Sequence, residues 1–600
     1  MSEAIHFDLT ALRRAYADGT LTPEQVIEEV LRRADNARHP NVWIAKTGRE
    51  RLLEMARALP PAPTEQLPLY GVPFAIKDNI DLAETPTTAG CPDFSFLPPE
   101  SATVVKRLIA AGALPVGKTN LDQFATGLVG VRSPYGVCES VFDKRYISGG
   151  SSSGSAVAVA AGMVTFSLGT DTAGSGRVPA AFNNIVGHKP TRGLLSNRGV
   201  FPACRSLDCV SIFAGSCHDA QAVLDVAAGF DSADPYSRSR PKGGVTFSEK
   251  FHFGILAPAQ REFFGDTEAA ALYEQAIARL RGCGGEPAEF DYTPFAQAAA
   301  LLYAGPWVAE RRWALGEFFD QHGDSIHPVV RGIIGGAAKH DAVAAFDAQY
   351  RLQALLQTTR EIWKKLDLLL LPTTGTTYRI EEVLADPVRL NSNLGHYTNF
   401  MNLLDLAAVA LPAGFRASNG LPFGVTLIAP AFSDDALLSL GGRYHFTLGG
   451  NIGVTPGKIS GQPLPKEKSE GVLLAVVGAH LRGQPLNHQL TSRRARFVRQ
   501  TKTSPHYRLY ALANTQPPKP GLRRVAEKLP HGIEIEVWAL NEAAFGSFVA
   551  EIPPPLGIGA LELEDGTSVK GFLCEPIGLE GARDITEFGG WLAFRQSPAK

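Results

Sequence analysis

Two serines carry the first chemistry this sequence offers. Ser151 and Ser175, 24 positions apart, lie in the block Tyr146 to Pro179, YISGGSSSGSAVAVAAGMVTFSLGTDTAGSGRVP. A serine hydroxyl attacks a carbonyl only when a neighbouring base takes its proton. Gly149 and Gly150 precede Ser151, and Gly174 precedes Ser175. Glycine accepts positive φ and lets backbone N–H groups turn inward, where they can stabilise an oxyanion. Acyl transfer by an activated serine is the chemistry implied. A Gly/Ser-rich run is ordinarily a linker. Here Ser155 to Met163 is rich in Ala and Val and predicts a packed helix, and Val164 to Leu168 predicts a short buried strand. The glycines then fall in two tight turns, one before the helix and one after the strand.

A lysine acts as base only where burial or nearby positive charge lowers its pKa. Lys77 sits in the apolar run VPFAIKDNI, Val72 to Ile80, where burial is expected; a salt bridge to Asp78 or Asp81 is its other use. With these residues the block resembles the amidase signature family, whose members hydrolyse amides with a Ser–cis-Ser–Lys triad. The resemblance implies Lys77 as base, Ser151 as bridging serine behind a cis Gly150–Ser151 bond, and Ser175 as nucleophile. It also implies an oxyanion hole of backbone N–H groups from Thr172, Ala173, Gly174 and Ser175. Asn184 to Gly193 and Leu404 to Pro430 resemble the family too, so the likeness covers roughly residues 1–445. His188 stands where the family more usually has leucine and is read as a packing variant, not a ligand.

Asp171 to Arg177 reads DTAGSGR where most of the family reads DTGGSIR, and this is similar to allophanate hydrolases. Tyr303 to Arg312, YAGPWVAERR, resembles their substrate loop, which implies that Tyr303 and Arg311 hold a substrate carboxylate. An arginine fork binds carboxylates bidentately. The alternative is a surface helix with Glu310, Arg311 and Arg312 in solvent. The stretch from Gln123 to Gly127 is expected to line the pocket from the other side. The implied substrate is allophanate, a small planar anion, with no cofactor and no metal. Another amidase of the family, a general amidase or the A component of an aminoacyl-tRNA amidotransferase, is the competing reading.

Six hundred residues exceed one ordinary core, so at least two domains are expected. A net charge of −2 gives no electrostatic reason for nucleic acid or an anionic membrane. No apolar run approaches the ~20 residues of a membrane helix, and the first residues lack a signal-type apolar core, so a cytoplasmic protein is expected. Seven cysteines, an odd set without CxxC, argue against a zinc site and a disulfide framework.

The elements that must position these residues follow from periodicity. Thr22-Pro23-Glu24-Gln25 predicts a capping box opening a helix. Short apolar runs then alternate with helical patterns, an α/β signature with a mostly parallel or mixed sheet covered by helices. Gly112 to Thr119, GALPVGKT, formally matches a phosphate-binding loop, which must follow a strand and open a helix. Here a helix is expected over Ala102 to Ala111 and a strand over Ala113 to Val116. Gly441 to Glu470 loses apolar periodicity, which predicts an amidase domain over 1–445, a linker over 446–469 and an α+β domain over 470–600. In the last, Gly471 to Val477 and Gly532 to Leu540 predict strands and Asp565-Gly566 a hairpin turn. Val477 to Leu490 and Glu551 to Pro576 resemble the C-terminal domain of allophanate hydrolases. That domain is similar to the γ-glutamylcyclotransferase-like fold and is linked to decarboxylating N-carboxycarbamate. A proton role there falls to His480 in preference to His488; dimerisation or stability is the domain's other role. The resemblance implies a homodimer.

Overall fold

The computed structural model describes residues 7–35, 38–241, 245–455, 471–493, 495–513 and 515–597. The chain forms two compact units, the second essentially the last 130 or so residues. No helix among the described residues is long and apolar enough to cross a membrane.

The first unit is built on eleven strands: β1 Trp43–Lys46, β2 Pro73–Lys77, β3 Leu114–Thr119, β4 Phe166–Asp171, β5 Val186–Lys189, β6 Cys209–Ala214, β7 Phe251–Leu256, β8 Gly285–Phe290, β9 Leu368–Pro372, β10 Leu406–Phe415 and β11 Pro422–Pro430. They form one mixed sheet in the order β1-β3-β2-β4-β6-β5-β10-β11-β9-β7-β8. β2 lies parallel to both β3 and β4. Every residue of β2, β3, β4 and β6 is buried, as expected of central strands covered on both faces. Phe74 and Phe166 stack on one face, ring centroids 5.1 Å apart. On the other face Ala75 and Phe213 pack with Val157 and Val159 of the wholly buried helix Ser153–Ala160.

That helix begins two residues earlier than its Ala/Val content suggests, and Gly162, at φ +66°, ends it. The following strand begins at Phe166 and continues to Asp171 through Gly169, where a Cβ would stand 2.6 Å from the Phe213 ring. The capping box is present, Thr22 and Gln25 satisfying each other's backbone N–H at the start of helix Pro23–Ala34. The GKT of the formal phosphate loop lies inside β3, where Thr119 pairs with Lys77. Buried Lys118 Nζ lies 3.3 Å from Asp78 Oδ1, so no loop exists to cradle a phosphate. The helix Asp434–Leu448 runs past residue 445. Gly453 and Val454 then donate to the carbonyls of Asn184 and Ala160, so the chain through Thr455 packs on the first unit because Tyr444 and His445 are buried there. The rest of the expected linker, 456–469, lies outside the described residues.

In the second unit β12 Val472–Val476, β13 Arg496–Lys502, β14 Tyr507–Ala511, β15 Pro520–Arg524, β16 Glu534–Leu540, β17 Leu556–Glu562, β18 Ser568–Cys574 and β19 Arg583–Asp584 form two sheets. Their orders are β13-β16-β12-β18-β17 and β15-β14-β19. β17 and β18 are the antiparallel arms joined around Asp565 and Gly566, the glycine at φ +81°. All seven cysteines are free thiols.

Candidate active site

Parallel neighbours deliver their C-terminal ends to one edge of a sheet, where α/β proteins place their ligands. β2 ends at Lys77 and β4 at Asp171, with Ile76 opposite Leu168. Lys77 is fully buried. Its Nζ lies 2.7 Å from Ser151 Oγ and 2.7 Å from Thr170 Oγ1, so the salt bridge to Asp78 is not made; Asp78 instead faces Lys118. Burial pushes the Lys77 amine down from 10.5 to about 7, against the pull of Asp122, Asp208 and Asp171 and with the help of Arg311. A lysine at that value carries a lone pair near neutral pH.

The Gly150–Ser151 peptide bond is cis. Asp122 holds the turn around it: its carboxylate accepts from the N–H groups of Val129, Gly130 and Arg132 at 2.9–3.1 Å, and its own N–H donates to Ser151 O. A Cβ on Gly150 would sit 2.2 Å from Asp122 Oδ2, so only glycine fits there.

Ser175 lies four residues beyond β4, buried at 4% exposure, with its hydroxyl 3.5 Å from the Gly127 carbonyl. Asp171 shapes this loop from within. Its carboxylate accepts from Gly174 N–H at 2.8 Å, from Gly176 N–H at 3.0 Å and from both arms of the Arg177 guanidinium at 2.8 and 2.9 Å. Burial alone would raise the Asp171 carboxyl; Arg177, joined by Lys189 and the Gly176 N–H, more than offsets it and holds it below its usual value. The expected Gly174 donor is thereby corrected: its N–H is engaged by Asp171, and its contribution is the positive φ of 138°. Among the described residues the N–H groups of Thr172, Ala173 and Ser175 meet no acceptor, which leaves them available to an oxyanion.

The helix Val308–Leu315 resolves three consecutive charges by its phase. Glu310 turns to Ser206, Arg312 to Asp320, and Arg311 inward at 3% exposure. Arg311 Nη1 donates to Thr126 Oγ1 at 2.9 Å and to Ala125 O at 3.3 Å, and its guanidinium lies 5.6 Å from the Tyr303 ring. Burial opposes the Arg311 charge; Cys204, Tyr303, Asp208 and Glu310 outweigh it. Thr126 adjoins Gly127, so a chain of contacts joins Ser175 to Arg311 and Tyr303. Gln123 is buried, its amide donating to Ser325 O and accepting from His327 N–H. Asp122, Asp171, Arg177 and Asp208 were not singled out by sequence reasoning; the six-residue spacing of Asp171 and Arg177 around Ser175 was the one available signal. His188 Nε2 lies 3.2 Å from Asp434 Oδ1 at the start of the Asp434–Leu448 helix, a structural contact.

A model of amidases matches residues 25–438. The chain belongs to the amidase family. Within that family, a urea amidolyase of Lachancea kluyveri is 45% identical over 593 residues, 96% of this chain and 32% of that protein. The chain thus spans about a third of the length of the curated urea amidolyase. The solved allophanate hydrolase of Kluyveromyces lactis is 43% identical with TM-score 0.80, covering 98% of this chain and 99% of that one. Another amidase relative, the A component of the glutamyl-tRNA(Gln) amidotransferase of Deinococcus deserti, is 33% identical over 472 residues, 73% of this chain and 96% of its own. Beyond the amidase match, residues 472–596 fit the allophanate hydrolase C-terminal domain.

In that second unit His480 follows β12 and lines a cavity of about 60 Å³ with Gln489, Lys519, Phe548, Glu551 and Phe572. Its ring stacks on Phe572 at 5.1 Å, and its Nε2 lies 2.8 Å from Gln489 Oε1. Burial, with Lys519 nearby, lowers its pKa. His488 is exposed, its Nδ1 2.9 Å from Pro485 O, and does not line this cavity.

Proposed function

We propose that this protein is an allophanate hydrolase. Ser175 Oγ attacks the terminal amide carbonyl, its proton passes through Ser151 Oγ to neutral Lys77, and the oxyanion rests on backbone N–H groups of Thr172, Ala173 and Ser175. Return of that proton expels ammonia and leaves an acyl-enzyme. Water, deprotonated by the same relay, then releases N-carboxycarbamate. Arg311, with Tyr303, holds the substrate carboxylate, and Gly127 stands beside Ser175. N-carboxycarbamate then loses carbon dioxide, a step in which the half-buried, neutral His480 ring stabilises the bound carboxylate by hydrogen bonding.

The observation that carries the reading is buried Arg311, joined to Ser175 through the adjacent residues Thr126 and Gly127. A neutral amide gives no reason to bury that charge, whereas a substrate carboxylate does. Ammonia release from allophanate, measured beside malonamate, propionamide and glutamine, tests it. Strong activity on allophanate that vanishes in Ser175→Ala is expected; activity confined to glutamine or a neutral amide would refute it. The first of those refutations would favour an amidotransferase component, the second a general amidase. The reading also takes the enzyme to act as a cytoplasmic homodimer, which light scattering of the purified chain and fractionation of cells check.

A further inference from the structure

Two buried carboxylates hold the Ser175 loop, and only one is explained by an ion pair. Asp171 has Arg177. Asp208, immediately before β6 and 3% exposed, accepts from Thr172 Oγ1 at 2.5 Å, from Cys204 N–H at 3.1 Å and from Ala203 N–H at 2.8 Å. Asn402 ties the same two segments from behind, donating to the carbonyls of Asp171 and Leu207 at 2.8 Å each. Glu310 pins Ser206 in the loop that carries Asp208 to the helix that carries Arg311. Thr172, Asp208 and Arg311 therefore form one braced group beside Ser175.

Three neutral donors do not require a carboxylate; backbone carbonyls or an amide would serve them at far lower desolvation cost. The charge has another use. Among the described residues no carboxylate pairs directly with Arg311, whose hydrogen bonds go to Thr126 and Ala125. Asp208 makes no direct bond to Arg311, yet its loop is held to the Arg311 helix by Ser206 N–H on Glu310 at 2.8 Å and Cys204 Sγ on Trp307 O at 3.4 Å. Its charge therefore faces the guanidinium at short range, leaving it open to a ligand while lessening its pull.

We propose that Asp208 is a positioning residue with two tasks: it fixes Thr172, and so the N–H groups at the start of the Ser175 loop, and it tempers the grip of Arg311 on an anionic substrate. The inference rests on the roles given above to Ser175 and Arg311. Fixing Thr172 matters in the transition state, when the oxyanion has formed, and so acts on kcat. Tempering Arg311 acts on the bound anion and so on KM.

The two tasks separate in steady-state kinetics at about pH 8, where the Asp208 carboxyl, pushed up by burial to about 6, is ionised. Asp208→Asn keeps the size and one acceptor but removes the charge. It is expected to lower kcat about 10- to 100-fold on allophanate and on propionamide alike, to lower KM for allophanate several-fold, and to leave KM for propionamide unchanged. Thr172→Val is expected to lower kcat comparably with no change in KM, and Thr172→Ser to restore it. An Asp208→Asn enzyme whose kcat stays within about twofold of the parent, or whose KM rises for both substrates, overturns the proposal. If Asp208→Asn does not fold, the Thr172 pair decides: unchanged kcat in Thr172→Val, or no rescue by Thr172→Ser, overturns it. Should the parent enzyme not turn over allophanate, the proposed function fails first. The Thr172 pair, assayed on whichever amide is turned over, then judges the positioning task by itself.

Discussion

Burying Lys77 among hydroxyl groups sets an acid limb in the pH profile. Below its pKa of about 7 the amine is protonated, has no lone pair for the Ser151 proton, and the relay stops. The ratio kcat/KM, which reports the free enzyme, is expected to be level near pH 8. It falls about tenfold by pH 6 through Lys77 alone, and below pH 6 more steeply than about tenfold per pH unit, because Asp208 also loses its charge there. The gap between 10.5 and about 7 corresponds to about 5 kcal/mol, which also appears in stability. Between those two values the unfolded chain holds a proton on this lysine and the folded protein does not, so stability rises with pH across that window. The neighbours fix the direction of any shift. Arg311 opposes protonation of Lys77, so Arg311→Gln moves the limb to higher pH; Asp208 favours it, so Asp208→Asn moves the limb to lower pH. Asp208 itself titrates at about 6, and a limb that survives in Asp208→Asn belongs to Lys77. Discontinuous ammonia determination across about pH 5 to 9 reads all of this. A flat profile, or a limb that neither substitution moves, would show that Lys77 is not the base.

Three further outcomes follow from the same contacts. Arg311→Gln should raise KM for allophanate roughly 10- to 150-fold, the worth of a charge-assisted hydrogen bond, while propionamide turnover is spared; equal loss on both substrates would make Arg311 a folding residue. Gly150→Ala places a Cβ 2.2 Å from Asp122 Oδ2 and 2.6 Å from Gly130 N, so the turn must shift Ser151 away from Lys77, and ammonia release should drop about a hundredfold; near-parental turnover would show that the turn has slack. Arg177→Met leaves Asp171 buried without its counter-charge and should cost about 3–5 kcal/mol in urea unfolding followed by tryptophan fluorescence; a loss under about 1 kcal/mol would mean that Gly174 and Gly176 N–H groups suffice.

The order of side chains along the chain determined a good deal. Thr22 and Gln25 are close enough in sequence to cap a helix without help from elsewhere, and the glycines before Ser151 and Ser175 announce turns because glycine takes positive φ at no steric cost, as Gly149 at 75° and Gly174 at 138° do. Alternation of apolar runs pointed to the α/β class, and the loss of that periodicity from Gly441 to Glu470 to a second domain, since burial patterns repeat at short range. Boundaries were less legible. The helix 153–160 and the strand 166–171 differ by two or three residues at each end from their local composition: Gly162 closes the helix early, and Gly169 lets the strand run on beneath the Phe213 ring. The chemistry of individual charges was decided only in three dimensions. Lys77 and Lys118 both lie in wholly buried strands, yet Lys118 finds the Asp78 carboxylate at 3.3 Å and Lys77 finds two hydroxyls at 2.7 Å. Glu310, Arg311 and Arg312 are adjacent in sequence, and the phase of one helix sends only Arg311 inward. Gly174 was expected to donate to an oxyanion, and its N–H went to Asp171 instead. In each case a charge or a donor takes its character from the nearest group that satisfies it, and strands and loops far apart in sequence supply that group.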